Sequence, residues 1–456
     1  MKTFPLILCA VAALNAQVRL PRYTREVLPN GVVVYLMPKP GVPLINFLVV
    51  AKGGIESEPR ELAGIASVSA QLLRKGTATR TAEQFSNELD SMGGSFRVGD
   101  SEQDVTIASE FLKKDFEAGL DLTADAVLHP TFPEAEVKKM VAQQVDAVKS
   151  LKDNPQAVIG RYFDAYFYGA QHSYGHPADE ASLARLTREN IAAYAKGVYV
   201  GKRLIVIVSG DIDPASAGLA VKKAFGEVPS GGAYEWAKDA PVTPGRRLLL
   251  IDKPDATQTY FRIAQPGISR TNPDRTTLLL VNTLFGGRFT SMLNDELRVN
   301  SGLTYGARCV LDLNREPGAI SISSYTRTET TGKAMDLALD VLKRLNEKGI
   351  TAEQLSSVKA YIKGTYPTQS LETADQLAKV LADIEVFGLN RGEVDDLFSR
   401  IDAVTLERAN ATARKWYGTE DLTFVVLGNA AKIRDSVKKY APQFSEVSIK
   451  SPGFGQ

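Results

Sequence analysis

The chain has 456 residues, of which 44% are hydrophobic and 23% charged, a composition typical of a globular protein with about two to four domains. Its 54 Lys and Arg residues nearly balance 53 Asp and Glu residues. This balance argues against nucleic acid or an anionic membrane surface as the partner.

The N-terminus, MKTFPLILCAVAALNAQ, carries one lysine followed by an apolar run from Phe4 to Leu14. This pattern predicts a secretory signal peptide over residues 1–16 and export across the inner membrane, most simply into the periplasm. The run is shorter than the roughly 20 apolar residues of a membrane span, and no later stretch qualifies. Cys309 is then the one cysteine of the mature chain, and we expect a buried, small apolar side chain rather than a reactive thiol.

Residues 226–246, GEVPSGGAYEWAKDAPVTPGR, are rich in proline and glycine and predict a linker. It divides the mature chain into two units, residues 17–225 and 247–445. The same order of predicted elements recurs in both units. The matching segments are the strand pairs around Lys39-Pro40 and Lys253-Pro254, the stretches ELDSMGGSFRVG (88–99) and ELRVNSGLTYGA (296–307), and the closing strands LIVIVSGDID (204–213) and LTFVVLGNA (422–430).

This repeat predicts a duplicated α+β domain of about 200 residues, each copy a mainly antiparallel sheet packed against helices. Two such domains joined by an exposed linker are expected to face one another across a cavity. Clefts between domains are favoured binding sites.

The order of these motifs resembles that of the pitrilysin/insulinase family of zinc metallopeptidases, particularly the branch of the mitochondrial processing peptidase. Members carry an inverted zinc motif, H-x-x-E-H, on a helix ahead of a Lys-Gly-Thr or similar turn. The two histidines bind zinc, the glutamate activates water, and a further glutamate about 75 residues on completes the ligands. The resemblance implies a clam-like assembly of two such chains around a peptide.

The corresponding segment here is GIASVSAQLLRKGT, residues 64–77, in which Lys75-Gly76-Thr77 fixes the register. The two histidine positions fall on Ser67 and Gln71, and the catalytic glutamate position falls on Ala70. All three functional residue types are therefore absent, and the zinc motif is degenerate.

The distal glutamate position falls within residues 137–150, which offer Gln143, Gln144 and Asp146 but no glutamate. A hydroxyl and amides do not replace imidazoles as ligands of Zn²⁺. We expect no zinc in this chain and no peptide hydrolysis by the chain alone.

Three histidines remain as candidate metal ligands. His172 and His176 lie four apart in AQHSYGHPADE, but the nearby glycine and proline disfavour a helix that would bring them together. A structural loop is the expected role, with a metal site as the open alternative. His129, at an apparent helix end, is left without a role.

The second half contains FGGRFTSMLNDELRVNSGLTYGA, residues 285–307. The spacing predicts a Gly286-Gly287 turn and then one amphipathic helix that ends near Gly302 and sends Tyr305 into a strand. The apolar positions of the predicted helix are Phe289, Met292, Leu293 and Leu297.

In the resembled family, an arginine and a tyrosine at this spacing reach the zinc site across the cavity. The resemblance implies that Arg298 and Tyr305 bind the substrate backbone and stabilise charge on the scissile carbonyl, for which a phenol donor and a planar guanidinium are suited. In the first half, Asp90 and Arg97 occupy these positions. The alternative is a helix-end arginine beside a core tyrosine.

The leading hypothesis is the non-zinc subunit of an exported heterodimeric zinc metalloendopeptidase. Its partners are a homologous H-x-x-E-H subunit, which holds the zinc, and an unfolded peptide substrate. The alternatives are a structural or assembly subunit, and a module that binds extended peptides without cutting them.

Overall fold

The computed structural model describes residues 18–243 and 245–455, so the predicted signal peptide lies outside the described residues. Each half of the chain forms one six-stranded sheet with helices packed on it. The predicted α+β class with two homologous domains is confirmed. No helix in the described part of the chain is long and apolar enough to cross a membrane.

The first sheet contains β1 (Thr24–Val27), β2 (Val33–Pro38), β3 (Leu44–Lys52), β4 (Ser95–Asp100), β5 (Asp104–Leu112) and β6 (Leu204–Gly210). The second contains β7 (Arg247–Asp252), β8 (Gln258–Pro266), β9 (Ala307–Leu313), β10 (Pro317–Arg327), β11 (Thr423–Gly428) and β12 (Gln443–Ser448).

The helices of the first half are α1 (Ile65–Leu72), α2 (Ala82–Ser91), α3 (Phe116–Leu128), α4 (Glu134–Leu151), α5 (Pro155–Tyr168), α6 (Glu180–Ala184), α7 (Arg188–Val198) and α8 (Pro214–Phe225). Those of the second half are α9 (Arg275–Asn282), α10 (Met292–Asn294), α11 (Thr331–Lys348), α12 (Ala352–Ser370), α13 (Ala374–Val386), α14 (Gly392–Asp395), α15 (Leu397–Asp402), α16 (Leu406–Trp416) and α17 (Ala430–Lys438). Thr283–Gly287 and Asp295–Asn300 form π-helical turns.

The two sheets share one topology, which accounts for the repeat in the sequence. Their strand orders are β1-β2-β6-β3-β5-β4 and β12-β7-β11-β8-β10-β9. In each domain the closing strand inserts between the first two strands of the repeat, pairing parallel with one and antiparallel with the other. The outermost strands differ, because β1 runs antiparallel to β2 whereas β12 runs parallel to β7.

The two domains exchange one helix each. Helix α5 belongs to the first half of the sequence, yet its apolar side packs on the second sheet, where Phe163 lies in one cluster with Leu249 and Val425. Helix α13 belongs to the second half and packs on the first sheet, where Leu381 lies in one cluster with Val50. Each sheet is therefore covered on its second face by a helix from the other half.

This exchange explains the unbroken apolar runs of the central strands. In β3, Phe47 and Val49 belong to the core of their own domain, whereas Leu48 and Val50 face α13. Successive side chains of a strand point to opposite faces, so a strand buried on both sides is apolar throughout. The interface between the two halves is therefore a hydrophobic core.

The predicted linker, residues 226–246, contains no helix or strand where it is described. Two aromatic side chains hold it against the domains. The Arg203 guanidinium of the first domain lies 4.6 Å from the Tyr234 ring centroid, and the Arg315 guanidinium of the second lies 4.1 Å from that of Trp236. The linker therefore packs against both halves of the chain.

We predict that Leu381→Ala lowers the free energy of unfolding by about 2–5 kcal/mol, the range for a large-to-small change in a core. Because Leu381 packs on the first sheet, hydrogen exchange should accelerate in β3 and β6 although the substitution lies in the second half. Leu219→Ala, at a side chain that is 70% exposed, is the matched control and should change stability by less than about 0.5 kcal/mol. Faster exchange confined to the second domain would contradict the exchanged-helix packing.

Candidate functional site

Helix α1 carries the degenerate zinc motif, and a buried carboxylate holds its N-terminus. Both carboxylate oxygens of Glu58 accept backbone N–H bonds, from Gly64 and Ala66, each at 2.8 Å. Burial raises the pKa of Glu58 to about 7, and the two backbone N–H bonds oppose that rise. Gly64 begins the helix with φ of +97°, a conformation that favours glycine.

Two hydrogen bonds link the side chains at the positions of the lost zinc ligands in a row. The Gln71 Nε2 donates to Ser67 Oγ at 3.2 Å, and the Gln144 Nε2 donates to Gln71 Oε1 at 3.0 Å. Of the three candidates for the distal glutamate position, Gln144 is therefore the one that contacts the other two positions, whereas Gln143 and Asp146 are exposed. Ala70 is fully buried.

This chain of side chains does not fit a zinc ion. Its potential ligands are one hydroxyl and two amides, which are joined by two hydrogen bonds, whereas structural and catalytic zinc sites use thiolate, imidazole and carboxylate ligands. The described residues hold no group of three His, Cys, Asp or Glu side chains placed to bind a metal.

A cavity of about 510 Å³ lies beside this helix, between the two domains. Ser67 and Gln144 line it from the first half, and Arg262 and Asp312 line it from the second. Asp164 of α5 also faces it. The degenerate zinc position therefore opens into an interdomain cavity, as the two-domain prediction expected.

This cavity contains buried charged side chains that the sequence motifs do not predict. Burial raises the pKa of Asp164 to about 7 and that of Asp312 to about 6, while the nearby Arg262 charge opposes both shifts. The buried Nε of Arg262 finds no hydrogen-bond acceptor among the described residues. In the sequence, a single charged residue within an otherwise apolar run, as in RYFDAYFYG and TYFRIAQ, could have indicated these buried charges.

The histidines lie outside this cavity. His172 and His176 sit in a loop without helix, as predicted. The His172 Nδ1 accepts the backbone N–H of Tyr174 at 3.1 Å, and its ring packs on Tyr168 and Tyr174. His129 caps α3 and lies 3.3 Å from Asp125. These contacts fit structural roles.

The structure brings Arg298 and Tyr305 together. The Arg298 guanidinium carbon lies 4.4 Å from the Tyr305 ring centroid and 4.8 Å from that of Phe289. Tyr305 is 74% exposed, and neither Arg298 nor Tyr305 has an ion pair among the described residues. The guanidinium is thus held between two aromatic rings, with its N–H groups free to bind a ligand.

The local backbone differs from the predicted helix and strand. The Gly286-Gly287 segment is a π-helical turn, after which the helix is interrupted, and Arg298 lies in a second π-helical turn. Phe289 lies in the non-helical segment between them and is 64% exposed, so its assignment to an apolar helix face was wrong. The strand β9 begins at Ala307, so Tyr305 lies in the turn before the strand and not within it.

Close packing fixes this turn against β9. A Cβ at Gly286 would lie 2.2 Å from the backbone nitrogen of Cys309, so only glycine allows the approach. Cys309 is a free, buried thiol, as predicted, and burial raises its pKa far above the usual range. The first-half counterparts, Asp90 on α2 and Arg97 on β4, are exposed and lack this arrangement.

Phe289, which contacts Arg298, and Ser67, of the degenerate zinc motif, line two different cavities. A groove of about 480 Å³ is lined by Phe289, Arg308 and Tyr325, whereas Ser67 lines the interdomain cavity. Arg262 lines both, and α5 contributes residues to both. Within the described chain, Tyr305 therefore does not complete a site with its own α1 helix.

Comparison with known proteins places the chain in a family. Residues 34–174 match the model of the insulinase family (peptidase family M16), and residues 185–362 match that of the peptidase M16 inactive domain. The two matched ranges together span most of the chain. The chain belongs to the insulinase family, peptidase family M16, and the predicted resemblance is confirmed.

Three relatives illustrate its range. The chain is 24% identical to the uncharacterized zinc protease YmxG of Bacillus subtilis, over 89% of this chain and 97% of that protein. It is 22% identical to the non-peptidase homolog YmxG of Helicobacter pylori, over 83% and 88% of the respective chains. Its fold matches the first half of the periplasmic protease PqqL of Escherichia coli with a TM-score of 0.72 and 16% identity, over 94% and 98%.

We predict that Ser67→His, Gln71→His and Gln144→Glu together create a zinc site, because the hydrogen bonds show that these side chains already converge. After dialysis, the triple variant should retain about one zinc per chain by elemental analysis. A matched control with Gln143→Glu in place of Gln144→Glu should bind zinc at least about ten-fold more weakly. Equal affinity of the two variants would contradict the assignment of Gln144.

We predict that Asp164→Asn raises Tm by a few degrees at pH 8, by less at pH 5, and little at pH 3.5. The folded pKa, about 7, lies above the ordinary 3.8, so the stability that protonation contributes is complete below pH 3.8 and is lost progressively as pH rises from 3.8 through 7. Thermal unfolding followed by circular dichroism measures the shift. Asp146→Asn, at an exposed site, is the control, and parallel pH profiles for wild type and Asp164→Asn would refute the prediction.

Proposed function

We propose that this chain is the non-zinc-binding subunit of an exported, heterodimeric zinc metalloendopeptidase. One observation carries the proposal: the side chains at the zinc-ligand positions, Ser67, Gln71 and Gln144, bond to one another, while Tyr305 is exposed and Arg298 is half-buried without an ion pair in the described chain. The positions that would bind metal hold only hydroxyl and amide groups, whereas the arginine and tyrosine that would bind substrate are present and in contact. The homologous H-x-x-E-H partner subunit supplies the zinc.

The roles of the two side chains follow from their chemistry. Attack of a metal-activated water on a peptide places negative charge on the carbonyl oxygen, and the Tyr305 hydroxyl donates to that oxygen. Arg298 presents a planar set of donors to the carbonyl groups of the substrate backbone. Since its ring contacts fix the guanidinium, little ordering is required when substrate binds.

The comparisons support a two-chain assembly. The chain covers 98% of a structure that is described as the first half of PqqL, a longer periplasmic protease. A half-length chain with one half of the chemistry suits pairing with a second chain. Export to the periplasm rests on the pattern of residues 1–16.

A second candidate function is peptide binding without cleavage. The edge strands β4 and β9 each pair on one side only within the described sheets. An extended peptide adds to such an edge through main-chain hydrogen bonds. A purely structural subunit is the third candidate, and the open Arg298–Tyr305 pair argues against it.

The test is reconstitution of peptidase activity. The chain alone should contain no stoichiometric zinc and should not cleave a quenched fluorescent unfolded peptide. Mixing it with an H-x-x-E-H chain of the same family and organism should give cleavage. In that mixture, Tyr305→Phe should lower kcat by roughly 10- to 1000-fold, the range for loss of one oxyanion donor.

Tyr23→Phe removes a hydroxyl from a tyrosine far from the pair and is the matched control, for which we expect an unchanged rate. Zinc-dependent cleavage by the chain alone would refute the subunit proposal. A mixture that cleaves equally well with Tyr305→Phe would favour a structural subunit instead.

A further inference from the structure

The charged side chains that line the groove beside Arg298 are all basic. Its lining includes Arg262, Arg288 and Arg308 and no acidic residue. It lies between the edge strand β9 and the Gly286–Phe289 turn. Although the whole chain has a net charge of only +1, this groove therefore concentrates positive charge.

The register of the second sheet places two of these arginines in one row. Ser323 of β10 pairs with Arg262 on one side and with Arg308 on the other. Directly opposed residues of antiparallel strands project from the same face, so the two guanidinium groups flank Ser323. Two positions along, the Tyr260 and Tyr325 rings stack with centroids 5.4 Å apart and form an apolar floor.

Three arginines in and beside the groove have no carboxylate partner in the described chain. None of Arg288, Arg298 and Arg308 forms an ion pair within the described chain, and the nearby Glu296 pairs with Arg344 instead. Arg288 lies over the Tyr361 ring at 5.6 Å and donates to Ser357 Oγ at 3.1 Å. Their cost in mutual repulsion is relieved by an anion that binds among them.

We propose that this groove, the basic groove, binds acidic segments of extended peptides. The proposal rests on the peptide-binding function proposed above and adds its charge preference. Aspartate or glutamate side chains, or a C-terminal carboxylate, accept from the guanidinium groups of Arg288 and Arg308, while neighbouring side chains pack on the tyrosine floor.

Beyond Arg262 the lining side chains are acidic instead of basic, which favours a peptide over a nucleic acid as the ligand of the groove. Asp164 and Asp312 face the adjoining interdomain cavity. A polyphosphate backbone that continued past Arg262 would meet these carboxylates, whereas a peptide carries its acidic residues over a short segment only. The groove thus selects a local cluster of negative charge.

Fluorescence anisotropy with this chain alone tests the preference. The probes are fluorescein-labelled Gly-Ser peptides of about 12 residues that carry glutamates, glutamines or lysines at the same four positions. At about 50 mM salt we expect the glutamate peptide to bind at least about ten-fold tighter than the glutamine peptide, and the lysine peptide weakest, with the preference reduced at about 300 mM salt.

Arg308→Gln and Arg288→Gln should each weaken binding of the glutamate peptide about three- to ten-fold and leave the glutamine peptide unchanged. Arg308→Lys should retain most of the preference, because it keeps the charge. Arg185→Gln, at an exposed arginine of the first domain, is the matched control and should have no effect.

The outcomes separate the two proposals. Equal binding of glutamate and glutamine peptides, unaffected by Arg308→Gln, would overturn the charge preference and leave peptide binding intact. Absence of binding for every peptide would overturn peptide binding itself. Tighter binding of a single-stranded oligonucleotide of equal length than of the glutamate peptide would assign the groove to nucleic acid.

Discussion

The exchange of α5 and α13 is the interaction on which the rest of the structure depends. Each sheet has two apolar faces, and its own domain covers one of them. The second face is covered by the helix that the other half supplies. Burying a large apolar side chain contributes about 1.5–3 kcal/mol, so separation of the halves would expose two cores at once. The halves therefore hold a fixed relative position, and the inner face between them is a rigid surface.

That rigidity has a direct effect on the inner face. Helix α5 carries Asp164 into the interdomain cavity and lines the basic groove with Gln156 and Ile159, which lie one to two turns earlier. Because the helix is anchored on the second sheet by residues such as Phe163, both cavities keep their relation to Arg262. Helix α5 thus completes the core of the other domain and also lines two neighbouring polar cavities of opposite charge.

Much of this architecture is readable from the sequence, because duplication leaves a repeated order of elements and the Lys75-Gly76-Thr77 turn fixes the register of the lost zinc motif. The insertion of β6 between β2 and β3 is not readable, since strands adjacent in the chain are separated in the sheet. The helix exchange is equally hidden: continuous apolar strands show that two faces are buried, but not which half provides the cover.

The candidate site, too, can be predicted from the sequence only in part. The identity of Arg298 and Tyr305 followed from a family resemblance, whereas their contact depends on two π-helical turns that no 3.6-residue periodicity predicts. Phe289 was assigned to a buried face because its spacing fitted a helix, yet the chain breaks there and its ring contacts the Arg298 guanidinium instead. Tertiary packing, notably that of Gly286 on Cys309, decides the local backbone.

The way in which Arg298 is held has one more consequence. Several arginines in this protein, among them Arg25 and Arg275, are oriented by carboxylates, whose attraction weakens with added salt and disappears on protonation. Arg298 is oriented by the faces of Phe289 and Tyr305, which carry no formal charge and do not attract counter-ions. Its orientation therefore depends on contacts with two aromatic rings and not on an ion pair that salt would screen.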